Sequence, residues 1–310
     1  MKLVIFLFLV TFVPLCLTAQ STQPRAQIVG SWNITTSQDH GSAPSWLEIK
    51  RSGRSALVGS FVGSSGSARP VSRIVYNESE NYFQFTIPPQ WEGAENDLEF
   101  RFTLENDQLA GTTEIDDRTI EWTAERAPGL VREEAPRWGN PVNLLDDNMS
   151  KWVIPDNNQF YMEDGILINE QRGGNLITKE TFEDLKIRTE FRYPEGSNSG
   201  IYLRGRYEVQ ITDDYGLAPD DYRIAGIYGF IAPSENSAKP ANEWQTMDIT
   251  LVGRMVTVVL NGKEVISNRR IPGITGGALD SNEGEPGPIM IQGDHGPIEF
   301  RKFMVTPARN

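Results

Sequence analysis

The sequence predicts an all-β chain built as two units in tandem. A small antiparallel barrel or sandwich comes first, and a jelly-roll sandwich follows. Three observations carry that reading. Apolar and polar residues alternate with period two in run after run, from SWNIT near residue 31 to IEFRKF near residue 300. Turn-forming clusters such as Gly63-Ser-Ser-Gly-Ser, Asn106-Asp107 and Asn261-Gly262 punctuate the runs. A charged stretch with proline at both ends, PGLVREEAP at residues 128–136, separates the two sets as a linker.

Taken in order, residues 1–19 read as an export signal. Lys2 supplies the positive start, residues 3–17 are apolar but short for a membrane span, and Leu17-Thr18-Ala19 is a serviceable cleavage site. A lipid anchor on Cys16 is disfavoured, because a lipobox needs a small residue where Leu15 stands. The expected location is periplasmic or extracellular, with no membrane span. The processed chain then has no cysteine and relies on its cores instead of disulfides. A net charge of −13 argues against nucleic acid and anionic membranes as partners, and suits a neutral saccharide.

Residues 28–127 hold eight short runs: SWNIT, WLEIK, ALVGSFV, SRIVYN, YFQFTI, LEFRFTLEN, QLAGTTE and TIEWTAE. Their number and brevity give the small barrel or sandwich, in an accessory role. Trp32, Trp46, Trp91 and Trp122 read as core or rim packing ahead of sugar platforms. His40, in a polar loop, reads as inert. Residues 137–310 carry further alternating runs, among them LKIRTEF and MVTVVLNGKEVI, where Asn261-Gly262 is a strong hairpin signal. Helix signals are scant; residues 178–185 read as one or two turns. Many antiparallel strands over this length fit a concanavalin-like jelly roll.

The stretch NSGIYLRGRYEVQITDD, residues 198–214, bears most on function. Alternation sends Ile201, Leu203, Val209 and Ile211 to one face and Tyr202, Arg204, Glu208 and Gln210 to the other. A ring, a guanidinium, a carboxylate and an amide make a poor core. They make a good floor for a sugar, or a solvated outer face. Several chemistries drop out. No Gly-x-Gly-x-x-Gly follows a strand, so no nucleotide cofactor is expected. With His40 and His295 as the only histidines, a His/Cys zinc site cannot be assembled. A divalent cation on oxygen ligands stays open, with Asp213 and Asp214 either ligating it or closing a turn. An ordinary glycosidase needs two carboxylates. The strand Glu208-Val-Gln210-Ile-Thr212 supplies one, so a distant partner such as Glu190 or Glu299 would have to complete the pair.

Six segments, in order, carry a resemblance. They are GGNLITKETFEDLKIRTEFR (173–192), NSGIYLRG, YEVQITDD, IYGFIAPSENSAKPANEWQTMDI (227–249), VVLNGKEV (258–265) and QGDHGPIEFRKF (292–303). Over about residues 138–307 the chain resembles the 3-keto-disaccharide hydrolase domain family, also described as 3-keto-glucoside lyases and hydratases. Two departures stand out: Gln245 where asparagine is expected, and an inserted Gly293, which would shift His295 by one position. The resemblance implies a concave sheet holding the site and a 3-keto-glycoside as substrate. The ketone acidifies the C2 proton, a base removes it, the enolate expels the C1 aglycone, and water adds back. His295 or Glu208 would serve as base or acid, Arg204 and Gln210 as donors, and Arg192 and Arg301 would add charge. Tyr202 and Trp244 would meet the sugar, or pack; Lys239 would bind a hydroxyl, or cap a loop. Because the chain has no redox cofactor motif, a separate enzyme must oxidise the sugar at C3. The alternatives are a non-catalytic carbohydrate-binding protein and an ordinary glycosidase using Glu208 and a second carboxylate.

Overall fold

The computed structural model describes residues 23–38 and 41–309. Residues 1–19, read above as an export signal, with Cys16 among them, and His40 lie outside them. The only helix among the described residues is the single turn Gln23–Gln27. None is long and apolar enough to cross a membrane.

Eight antiparallel strands, from Gly30–Gln38 to Arg118–Arg126, follow one another around a closed barrel. The first strand pairs with the last, Trp32 opposite Arg126 and Thr36 opposite Trp122, so no edge is left for another chain to pair with. The alternating runs put one face of each strand inside. Phe83 and Phe85 lie opposite Phe102 and Phe100, and the Phe85 and Phe100 rings stack at 4.5 Å. The sequence left barrel and sandwich open for this unit; closure decides for the barrel.

The rest forms a two-sheet sandwich. The larger sheet runs in the order Phe160–Glu163, Ile166–Asn169, Ile298–Arg309, Leu185–Arg192, Gln245–Val252, Met255–Leu260, Lys263–Arg270. The smaller sheet runs Trp152–Val153, Leu176–Phe182, Gly287–Ile291, Asn198–Leu203, Tyr207–Thr212. The inner faces share one core, with Ile201, Val209 and Ile211 from the small sheet and Phe191, Ile249 and Phe300 from the large one. Residues 178–185 are not helical. They finish one strand, bend at Glu183-Asp184 and start the next. A bulge between Ile177 and Thr181 breaks the alternation there, and three exposed polar residues in a row imitate a helix surface.

Barrel and sandwich are packed together. Trp46 points out of the barrel into the sandwich core and meets the Phe230 ring edge-on at 5.3 Å. Glu283, fully buried, binds Arg254 and accepts from Tyr207 at 2.5 Å and from barrel Asn33 at 3.1 Å. The linker is pinned as well: Arg132 holds Asp184 through two nitrogens at 2.8 and 3.1 Å.

Candidate active site

The outer face of the small sheet floors a cleft of about 560 Å³. Tyr202, Glu208 and Gln210 rise from its two last strands, paired so that Tyr202 stands opposite Glu208. Gln292, Asp294 and His295 enter from the segment following Gly287–Ile291. Residues 225–228 run along the free edge of Tyr207–Thr212, through Gln210 N to Gly226 O at 2.9 Å and Tyr228 N to Glu208 O at 3.1 Å. This brings Tyr222 and Tyr228 to the wall.

Glu208 is almost wholly buried, and burial pushes its carboxyl up to about 8. A bond donated by Tyr202 works against burial, but the hydrogen bonds also accommodate a neutral acid. The Tyr202 hydroxyl lies 2.8 Å from Glu208 Oε2 and 2.9 Å from the Gly276 carbonyl, and Gln292 Nε2 approaches it at 3.2 Å. A phenol has one proton to give. When it donates to Gly276, the contact with Glu208 is completed by a proton on the carboxyl. Glycines make this crowding feasible. A side chain at Gly200 would come within 2.3 Å of Glu208 Oε1, and one at Gly277 within 2.3 Å of the Tyr202 hydroxyl.

His295 is half exposed. Its Nδ1 lies 2.7 Å from Asp294 Oδ1. That hydrogen bond raises the imidazole above its ordinary 6.5 and holds the Asp294 carboxyl below its usual range. It also leaves Nε2 as the free nitrogen. The inserted Gly293 does not remove His295 from the cleft. Its amide donates to Asn175 Oδ1 at 2.9 Å, its carbonyl accepts from Gly173 N at 2.7 Å, and a side chain there would strike Phe160 and the Gly174 carbonyl.

Other candidate residues fall elsewhere. Arg204 does not share the floor with Tyr202. The strand ends at Leu203, and Arg204 and Gly205 take left-handed backbone in the turn, so alternation no longer governs them. The Arg204 guanidinium is buried against the carbonyls of Glu283 and Glu285. Glu190, Arg192, Trp244 and Arg301 gather on the outer face of the large sheet. Arg301 and Arg192 lie over the Trp244 ring at 4.4 and 4.9 Å, and they pair with Glu190 and Glu299, each at 2.7 Å. Neither glutamate can therefore partner Glu208. Lys239 caps a loop through Trp244 O at 2.8 Å, and buried Gln245 clamps the same loop through Lys239 N and O. Asp213 accepts from Gly196 N, and Asp214 from Thr212 and Ile224 N, so these carboxylates close loops.

Of the cleft residues not picked out from the sequence, two stand out. Gln292 Oε1 and Asn198 Oδ1 are buried with no partner among the described residues, and both line the cleft. Each sits in a motif already noted, QGDHG and NSG, but an amide carries no distinctive signal. The third surprise is the barrel, which contributes Ser65, Gly66 and Trp91 to the wall.

An acid kept neutral by burial, an imidazole steered by a carboxylate, and amide and phenol walls on a β-sandwich sheet fit a carbohydrate-active enzyme. The chain belongs to the 3-keto-alpha-glucoside-1,2-lyase-like domain family, whose model matches residues 140–306. No curated protein matches it. Among solved structures it is similar to two provisionally assigned glycosyl hydrolases from Parabacteroides distasonis. One is 25% identical with a TM-score of 0.48, over 56% of this chain and 93% of the other. The second is 23% identical with a TM-score of 0.44, over 54% and 98%.

Proposed function

We propose that this is an exported enzyme that cleaves 3-keto-glycosides by C2 proton abstraction, elimination and hydration, with net hydrolysis. The observation that carries the reading is one cleft holding both a buried, neutral Glu208 and an Asp294-bound His295. His295 Nε2 takes the C2 proton. The electron pair passes through the enolate and expels the C1 oxygen, which receives the Glu208 proton and leaves as the free alcohol. A C1–C2 double bond remains, conjugated with the C3 ketone. Water then adds. The Glu208 carboxylate removes a proton from the water as its oxygen bonds to C1, and the His295 imidazolium returns a proton to C2. Both groups end as they began, and no electrons are exchanged with a cofactor. Gln210, Asn198 and Tyr228 are the neutral hydrogen-bonding groups around the reacting sugar. A separate enzyme that oxidises glycosides at C3 must supply the substrate. The runner-up is direct hydrolysis, with Glu208 as acid and Asp294, the other carboxylate in the cleft, as its partner; the His295 hydrogen bond on Asp294 weighs against it.

The test is incubation with alkyl glucosides and their C3-oxidised counterparts, reading released aglycone. Release from the oxidised sugar alone is expected. Equal or faster release from the unoxidised sugar overturns the proposal in favour of direct hydrolysis.

A further inference from the structure

Trp91 is the outlier among the barrel tryptophans. Trp32, Trp46 and Trp122 are at most 3% exposed, whereas Trp91 is 69% exposed. An exposed ring offers a stacking face when its position is fixed. Here it is fixed. The Glu92 carboxylate accepts from the amides of Gln90 and Trp91 at 2.7 and 3.0 Å and is paired with Arg69. The Gln90 side chain holds Ser67 at both its amide and its hydroxyl, and the Ser67 hydroxyl meets Tyr222 of the sandwich at 3.1 Å. The neighbouring barrel turn is locked to the sandwich too. Gly277 N donates to Ser64 O at 2.9 Å, and Gly276 lies so close to Gly66 that a side chain would not fit.

Trp91 faces two spaces. It lines the Glu208–His295 cleft, and it also lines a second cavity of about 210 Å³ at the barrel mouth; Ser65 is the other residue common to both. The walls of the second cavity combine apolar residues, Phe61, Phe100 and Trp122 among them, with polar ones that include Glu92 and Arg118. An apolar cavity of about 150 Å³ is enough to take up benzene. The barrel mouth therefore has room for one aromatic ring.

We propose that the barrel supplies the leaving-group site, and that the enzyme acts on glycosides whose aglycone is an aromatic ring. The sugar lies over Tyr202 and Glu208, and the aglycone lies against Trp91 with the barrel mouth beyond it. This rests on the assignment of the cleft to the sugar. The family match begins at residue 140, so the site is an addition to the family domain and not one of its parts.

The test uses the full-length protein and has two arms. In the first, 4-methoxyphenol alone is titrated by calorimetry into wild type, Trp91→Ala and His295→Ala. Saturable binding is expected, weakened about tenfold or more by Trp91→Ala, the scale of a lost aromatic pair with its buried area, and unchanged by His295→Ala. Trp91 is exposed, so its removal leaves the fold intact, which circular dichroism checks. In the second arm, kcat/KM is compared for 3-keto-glucosides bearing 4-methoxyphenyl or methyl. Wild type should prefer the aryl substrate, and Trp91→Ala should reduce that ratio about tenfold. Phenol binding that depends on Trp91, without turnover of either glycoside, supports the aromatic site and defeats the proposed reaction. Turnover of the methyl glycoside with no phenol binding and an unchanged ratio in Trp91→Ala overturns the aromatic site and leaves the reaction standing.

Discussion

Replacing Glu208 by glutamine should make the enzyme slower and, above neutral pH, more stable. Glutamine keeps the shape, and its amide can complete the 2.8 Å contact with the Tyr202 hydroxyl whether that hydroxyl donates to it or to the Gly276 carbonyl. What it removes is the titration. An acid whose folded value is raised from 4.5 to about 8 stabilises the fold fully below 4.5, and that stability is lost as pH rises through 8. Converted at 1.36 kcal/mol per pKa unit, the loss is roughly 5 kcal/mol by pH 9. Glu208→Gln escapes it. The variant should match wild type near pH 5 and exceed it progressively above. At about 2–4 °C per kcal/mol for a domain of 150–250 residues, its melting temperature at pH 9 should be higher by roughly 10 °C or more. Turnover of an alkyl 3-keto-glucoside should fall by about 10²–10⁴, the range for a lost general acid. A nitrophenyl 3-keto-glucoside, whose leaving group departs as a stable phenolate, should lose far less. The assays are thermal unfolding from pH 5 to 9 and aglycone release from both substrates. A variant that is less stable than wild type at pH 9, or that turns over the alkyl substrate normally, would refute the reasoning; Glu208 would then be a structural partner of Tyr202.

Two further outcomes follow from the same geometry. His295→Ala should lower turnover by about 10² or more and abolish the acid limb of the pH profile. That limb should lie above 6.5 in wild type, because the Asp294 hydrogen bond raises the imidazole; near-normal turnover by a folded variant would make His295 a turn residue. Glu283→Ala should cost about 3–5 kcal/mol in chemical denaturation, the scale for orphaning a buried partner, because it strands Arg254 and frees barrel Asn33. A change below about 1 kcal/mol would show that the barrel–sandwich junction does not depend on this carboxylate.

Much of the fold was legible because period two is a local property. All eight barrel runs and the Asn261-Gly262 hairpin could be read from their own residues. The misread segment at 178–185 is where a bulge interrupts the period. The site was legible only in part, for a related reason. Alternation tells which residues share a face of one strand, so Tyr202, Glu208 and Gln210 grouped themselves. It fails at turns, as at Arg204. It also cannot say on which side of a two-sheet stack a face will lie, so Arg192, Arg301, Glu190 and Trp244 looked equally eligible although they lie on the far sheet. Trp91 was hidden for a third reason. A tryptophan in a loop reads the same whether it packs inward or stands over a cleft in the next domain, and only the docking of the barrel decides.

The central claim is that the bond breaks by way of C2, and running the reaction in heavy water tests it most directly. The released 3-keto sugar is inspected by mass spectrometry against an enzyme-free control that corrects for spontaneous exchange beside the ketone. The His295 proton is half exposed to solvent, and hydration of the double bond delivers a solvent proton to C2. The account predicts deuterium at C2 above the control, in step with aglycone release. Aglycone released with no label at C2 above the control would contradict elimination and point to direct displacement at C1.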